Sequence, residues 1–243
     1  AIQRLMQTQG RVLVWLNDPC HNPTGRSLSA ADRAVLAGLL REAAALGPVT
    51  LLLDFAYLDY TREPAAVAAA LADYAALGAE GSVLVGACMS LSKSLTLYGA
   101  RGGAIAFPWS RDPALQAALT QSCRGTWSNC AKAPQALLLR LAADGKAQAH
   151  LAAEHQHWSE VLADRARALD AALAEARLEP VHWQGGFFVT VPAVQPDAAC
   201  GRLKAEGVFT VPLPEGLRLG LCGMKAAEAP RLAQALRRAV QSA

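Results

Sequence analysis

Four short apolar runs mark the first half of the chain: RVLVWL at 11–16, VTLLLDFA at 49–56, SVLVGACM at 82–89 and GGAIAF at 102–107. Their length and their glycine, proline or polar borders predict strands, the first three of them buried. Between the first two lies SAADRAVLAGLLREAAALG, whose apolar residues recur at helical spacing. Ser29 is placed to cap that helix, Asp32 to complete a capping box and Gly47 to stop it. A second, alanine-rich helix is predicted over 64–78. Strand, helix, strand, helix, strand is the order of a largely parallel sheet with helices on its faces.

After Phe107 the pattern changes. Helices are predicted over 112–123, 133–143 and, at length, 147–177. PVHWQGGFFVTVP then reads as a glycine-bent strand or hairpin, followed by a helix near 195–206, strands in GVFTVP and LRLGLC, and a last helix opening at Pro230. The expected division is a larger α/β region over 1–146 and a smaller α+β region over 147–243 that includes the connecting long helix. The alanine enrichment serves helix propensity and shows no internal repeat.

A chain of 243 residues is long enough for a sizeable core. No apolar run reaches membrane-spanning length, and the first residues carry no signal-peptide pattern, so no membrane partner and a cytoplasmic location are expected. The net charge of +3 is spread along the chain, and the aromatics do not interleave with arginines, which argues against nucleic acid. The six cysteines contain no C-x-x-C pair, and His150, His155 and His157 do not share one helix face, so no metal site is indicated. The chain starts at Ala1 and reaches a strand within about a dozen residues, like a chain joined midway.

Ligands of open α/β sheets sit beyond the carboxyl ends of the strands, where the polar residues of this sequence collect. NDPCHNPTGR follows the first strand, Asp54 and Tyr57 close the second, and Ser90, Ser92 and Lys93 follow the third. A lysine amine there can form a Schiff base with an aldehyde cofactor such as pyridoxal phosphate. Asp54 would pair with the ring nitrogen, Tyr57 and Asn22 with the phenolic oxygen, and Ser90 and Arg101 with the phosphate, Arg101 through its planar fork of donors. Each residue alone has a plainer reading: a surface lysine, a strand-end cap, a core tyrosine, an Asn-Pro turn, an ordinary ion pair. Arg218 lies in an apolar strand-like run, where an unpaired charge is costly, which favours a ligand role.

HNPTG, then DFAY, then SLSK with an arginine eight residues on, resembles the fold-type I, class I pyridoxal-phosphate-dependent aminotransferases. CHNPTG with SKSLTLYGARGG, RGTWSN and LRLGLCGM is most similar to the aspartate and aromatic amino-acid branch. The resemblance implies a large cofactor-binding domain with a mostly parallel sheet and a smaller α+β domain. It implies Lys93 as the catalytic lysine, Asn22, Asp54, Tyr57, Ser90 and Arg101 as cofactor ligands, and Arg218 as the clamp on the substrate carboxylate. Arg124 falls where that branch reaches from a neighbouring subunit toward a dicarboxylate, which implies a homodimer with a shared site. Amino acids, aromatic or acidic, and 2-oxo acids are the implied substrates. The chain departs from the pattern at Cys130, where SNC replaces the expected SNP and leaves the local loop geometry open. It also starts inside the family's usual length, so the upstream phosphate-cradling loop and ring-stacking aromatic are expected to be absent. Two further readings stand beside the enzyme: an effector-binding domain of a transcription regulator, and another fold-type I lyase.

Overall fold

The computed structural model describes residues 1–241. The chain divides into two compact units. Ala1–Asp18, Leu28–Ala56 and Pro64–Leu151 form the first; Pro19–Ser27, Tyr57–Glu63 and the chain from Ala152 onward form the second.

The first unit opens with a helix that the sequence reading had not picked out, α1 (Ile2–Gln9), followed by β1 (Val12–Asn17), α2 (Ala30–Ala44) and β2 (Val49–Asp54). Ile2, Leu5 and Met6 make a short apolar face, and Gly10, at φ 66°, ends α1 by returning its N–H to the Met6 carbonyl. Next come α3 (Pro64–Ala79), β3 (Leu84–Ser90), the one-turn α4 (Leu91–Ser94), β4 (Gly103–Ala106), α5 (Pro113–Thr126), α6 (Lys132–Ala143) and the long α7 (Gly145–Glu175), which passes into the second unit. The sheet order is β1-β2-β3-β4; the first three strands are parallel and β4 is antiparallel to β3. The register aligns Asn17 with Asp54 and Asp54 with Cys88, so the three parallel strands end side by side.

Burial differs along this sheet. Leu51, Leu52 and Leu53 of β2 are all buried, as befits a central strand. On β1, predicted buried, Val12 is covered but Leu13 and Trp15 are 55% and 62% exposed. That is the alternation of an edge strand covered on one face.

Helix α2 begins as its sequence requires: Ser29 Oγ accepts the Asp32 N–H and the Asp32 carboxylate accepts the Ser29 N–H. The glycine expected to stop it does something else. The helix closes on Ala45, and Gly47 is needed because a Cβ there would overlap the Gly10 carbonyl oxygen and stand 3.1 Å from Met6 Cε. Asp18, at the end of β1, is buried; it accepts the Tyr74 hydroxyl at 2.6 Å and the Leu28 N–H at 2.8 Å. One carboxylate thus joins Asp18 to Leu28, the two points where the chain leaves and re-enters this unit.

The second unit has the rest of α7, β5 (Phe188–Pro192), α8 (Pro196–Ala205), β6 (Val211–Leu213), β7 (Gly216–Gly220) and α9 (Ala229–Gln241). Its antiparallel sheet runs β5-β7-β6. Leu169 and Leu173 of α7, Val189, Leu203, Leu217 and Leu236 fill its core. Two of the three strand segments predicted before α9 are trimmed: PVHWQGGFFVTVP contributes only β5, and GVFTVP only its end. Gly186, at φ 76°, turns the chain just ahead of β5. Among the described residues no helix is long and apolar enough to cross a membrane.

Candidate active site

In the first unit the relevant side chains lie on the carboxyl side of the parallel strands. Asp54 is the last residue of β2. Its Oδ1 accepts the Ala56 N–H at 3.1 Å, its Oδ2 accepts the Trp15 indole N–H at 3.4 Å, and its carbonyl accepts the Asn17 side-chain amide at 2.9 Å. Trp15 and Asn17 alternate onto one face of β1, so strand geometry and register deliver both to Asp54. The Cys88 thiol, opposite Asp54 in β3, is pushed up by burial and then by the Asp54 charge.

Ser90 ends β3, and Lys93 follows on α4. Leu91 is buried and its N–H bonds the Gly102 carbonyl at 3.1 Å, which fixes the base of this one-turn helix. Gly102 must be glycine, because a Cβ there would stand 2.7 Å from Leu91 Cδ1 and 2.9 Å from Pro134 Cβ. The β3–β4 connection returns through a 3₁₀ turn at Tyr98–Ala100 to Arg101, which takes the left-handed φ of 50°. Lys93 Nζ lies 4.3 Å from the centroid of the Tyr98 ring, a cation–π contact. Arg101 Nη1 donates to the Tyr98 carbonyl at 3.0 Å. Both cations, with Ser90 at the foot of the same connection, therefore gather around one tyrosine, Tyr98, that carries no local mark in the sequence. Arg124 sits elsewhere in this unit, exposed in the last turn of α5.

In the second unit the structure brings Asn22 and Arg218 together. Arg218 is the middle residue of β7, itself the middle strand, paired with Thr190 and Val211. Its Nη1 donates to Asn22 Oδ1 at 3.2 Å and its guanidinium lies 4.4 Å over the Phe188 ring. The Thr190 hydroxyl donates to the Pro23 carbonyl at 3.0 Å. Asn22-Pro23 is a cis peptide. Tyr57 is buried, meeting Phe187 and Phe188 edge-on with centroids at 5.3 Å and 6.1 Å.

The HNPTG loop and the QGGFF segment interlock. Gln184 Oε1 accepts the Ser27 N–H at 2.8 Å, and the Gln184 N–H bonds the Gly25 carbonyl at 2.8 Å. A Cβ on Gly185 would run into Cys20 Sγ, and one on Gly25 would stand 2.5 Å from both the Phe188 carbonyl and Trp183 Cδ1. Those glycines make room for the loop that carries Asn22.

Chemically the first unit offers an amine, a guanidinium and a hydroxyl on the connection between β3 and β4 and a carboxylate held by two N–H donors at the end of β2. That donor set fits a group with an aldehyde, a phosphate and a basic ring nitrogen. The second unit offers a guanidinium braced by an amide and an aromatic face, a fork for a carboxylate. Arg218 spends one of its five N–H donors on Asn22.

Known proteins share this fold. An aminotransferase from Anaerococcus prevotii has a structure that superposes with TM-score 0.88 at 27% identity, over 99% of this chain and 59% of its own. An aromatic-amino-acid aminotransferase from Burkholderia pseudomallei, covalently bound to pyridoxal phosphate, gives TM-score 0.75 at 25% identity, over 95% of this chain and 56% of its own. A cytoplasmic aspartate aminotransferase from Giardia lamblia shares the fold, with TM-score 0.75 at 18% identity, over 98% of this chain and 58% of its own. The chain therefore spans well under two thirds of the length of these relatives. Curated protein sequences give no match. The family model described as aminotransferase class I and II matches residues 2–236, nearly the whole chain, which therefore belongs to the class I and II aminotransferase family.

Proposed function

We propose that this chain carries the lysine side of a pyridoxal-phosphate-dependent transaminase, which moves an amino group between an aromatic or acidic amino acid and a 2-oxo acid. The observation that carries this reading is the convergence of Lys93 and Arg101 on Tyr98, beside Ser90 on the single connection between β3 and β4. The covalent pyridoxal phosphate of the Burkholderia relative supports the choice of cofactor.

When bound, the cofactor supplies an aldehyde that takes up an amine and a pyridine ring that stores the electron pair released at the substrate Cα. Arg101 and Ser90 hold its phosphate, the guanidinium supplying paired donors and the hydroxyl one more. Asp54 would pair with the ring nitrogen and favour its protonated form; the Trp15 and Ala56 N–H groups hold the carboxylate in place. Asn22 and Tyr57 serve the phenolic oxygen. Arg218 grips the α-carboxylate of the amino acid and so sets the direction of the Cα–H bond. Lys93 Nζ would hold the cofactor's aldehyde carbon and would carry the substrate Cα proton as general base and then acid.

The same reading places the protein in the cytoplasm as a homodimer, with Arg124 directed to the partner's site. The exposure of Arg124 at the end of α5 supports the last point.

The test is to add pyridoxal phosphate to the folded chain, record the visible absorbance of lysine-bound cofactor, and locate the modified residue by borohydride reduction and peptide mass. Lys93 should carry the cofactor, Lys93→Ala should abolish the band, and glutamate or phenylalanine should bleach it. Modification of scattered lysines, undiminished in Lys93→Ala, would refute the assignment.

A further inference from the structure

Cys123 and Cys130 stand apart from the site described above, and their sulfurs are 3.9 Å apart. Cys123 is in the last turn of α5 and half-buried; Cys130 is exposed, just ahead of α6. The turn between them is built to bring the chain back. The Trp127 N–H returns to the Cys123 carbonyl at 3.2 Å, and Ser128 takes a left-handed φ of 66°. The Asn129 N–H bonds the Trp127 carbonyl at 2.7 Å, and the Asn129 side chain accepts the Cys130 N–H at 2.9 Å. Cys130 is also the residue at which the sequence departs from the expected Ser-Asn-Pro.

We propose that Cys123 and Cys130 are an oxidisable thiol pair whose disulfide closes a ring around residues 124–129. The partner is a small-molecule disulfide such as oxidised glutathione. The exposed Cys130 thiolate attacks one of its sulfurs and releases one glutathione thiol. Cys123 then displaces the second, so the protein gives up two protons and two electrons and one glutathione disulfide becomes two thiols. The sulfurs must close to about 2.05 Å, which side-chain rotation in an exposed turn can supply. The neighbouring Cys123 thiol pushes the Cys130 thiol up from its ordinary value, so the exchange should quicken as pH rises. In a reducing compartment such a bond is transient, a redox-responsive clamp on the segment that begins with Arg124.

The chain allows a direct test, because trypsin cuts after Arg111, Arg124 and Lys132. Peptide 112–124 then carries Cys123 alone and peptide 125–132 carries Cys130 alone. The folded chain is exposed to oxidised glutathione, quenched by alkylation and digested without reduction. The expected product is peptide 112–124 linked to 125–132, about 2 Da below the sum of the two free-thiol peptides and lost on reduction. In Cys123→Ser the resolving thiol is gone, and Cys130 should keep its glutathione adduct. In urea the six cysteines should give mixed pairings in place of this one. A stable glutathione adduct on Cys130 of the wild-type chain, a link from Cys130 to another cysteine, or no oxidation while the chain is folded would each overturn the proposal. The readout is a mass, so failure of the transaminase reading would leave it untouched.

Discussion

Replacing Tyr74 by phenylalanine removes one oxygen from a buried carboxylate's hydrogen-bond shell and almost nothing else. Asp18 is 2% exposed and Tyr74 4%, so water cannot replace the lost donor. Burial and then the bond to Asp18 push the Tyr74 hydroxyl well above its ordinary range, so it stays protonated and donates throughout the pH range of the fold. A hydrogen bond to a charged acceptor contributes roughly 1.5–3 kcal/mol. Phenylalanine fills the same ring volume, so no cavity adds to the loss. The Leu28 N–H remains on Oδ1 at 2.8 Å, which keeps the carboxylate partly satisfied. The expected loss is about 2 kcal/mol, roughly thirtyfold in the folding equilibrium. Urea unfolding followed by circular dichroism reads this value, and hydrogen exchange at the Leu28 amide reports whether the junction of the 19–27 loop loosens with it. A double-mutant cycle with Asp18→Asn should return a similar coupling between the two side chains. A change below about 0.5 kcal/mol, the range of an inert surface substitution, would refute the role given to this hub.

Gly25→Ala should cost more than a turn position normally does. The left-handed φ of +69° penalises any Cβ by about 1–2 kcal/mol, and the Phe188 carbonyl and Trp183 Cδ1 must also move. Unfolding of the variant measures the sum, and wild-type stability would mean the HNPTG loop does not take this conformation. At low pH, the Arg41 guanidinium gripping Glu80 at 2.8 Å and 2.6 Å holds that carboxyl below its ordinary value of 4.5. A depressed folded value means the stabilisation is complete above the unfolded pKa and fades as pH falls through the folded one. The stability difference between wild type and Glu80→Gln should therefore be level above about pH 4.5, vanish in acid and shrink with salt; a difference that ignored both pH and salt would count against the pair.

Most elements were legible because local chemistry sets them. The box between Ser29 and Asp32 starts α2, and short apolar runs set β1 to β3. Proline and glycine borders placed the later helices within a few residues. Three features besides α1 were not legible, each because it depends on how the folded chain packs and not on local pattern. Gly47 was read as a helix stop, yet its need is the close approach of Gly10 and Met6, which only the packed fold creates. The exposure of Leu13 and Trp15 follows from strand order, and an apolar run by itself does not say whether it lies at an edge or in the middle. Tyr98 carries no local mark beyond an aromatic ring in a small-residue turn, and it becomes notable because the folded β3–β4 connection brings Lys93 to its face.

The candidate site divides in the same way. The residue types and their order, an asparagine loop, an aspartate, a lysine and an arginine eight residues later, are written in the sequence, because this chemistry needs an amine, a carboxylate and an anion-binding fork. Who holds these groups was decided by tertiary structure. Trp15 reaches Asp54 through parallel strand register, and Asn22 meets Arg218 across 196 residues of chain. Such pairings rest on hydrogen bonds and packing between segments that no local pattern links, so they came into view only with the fold.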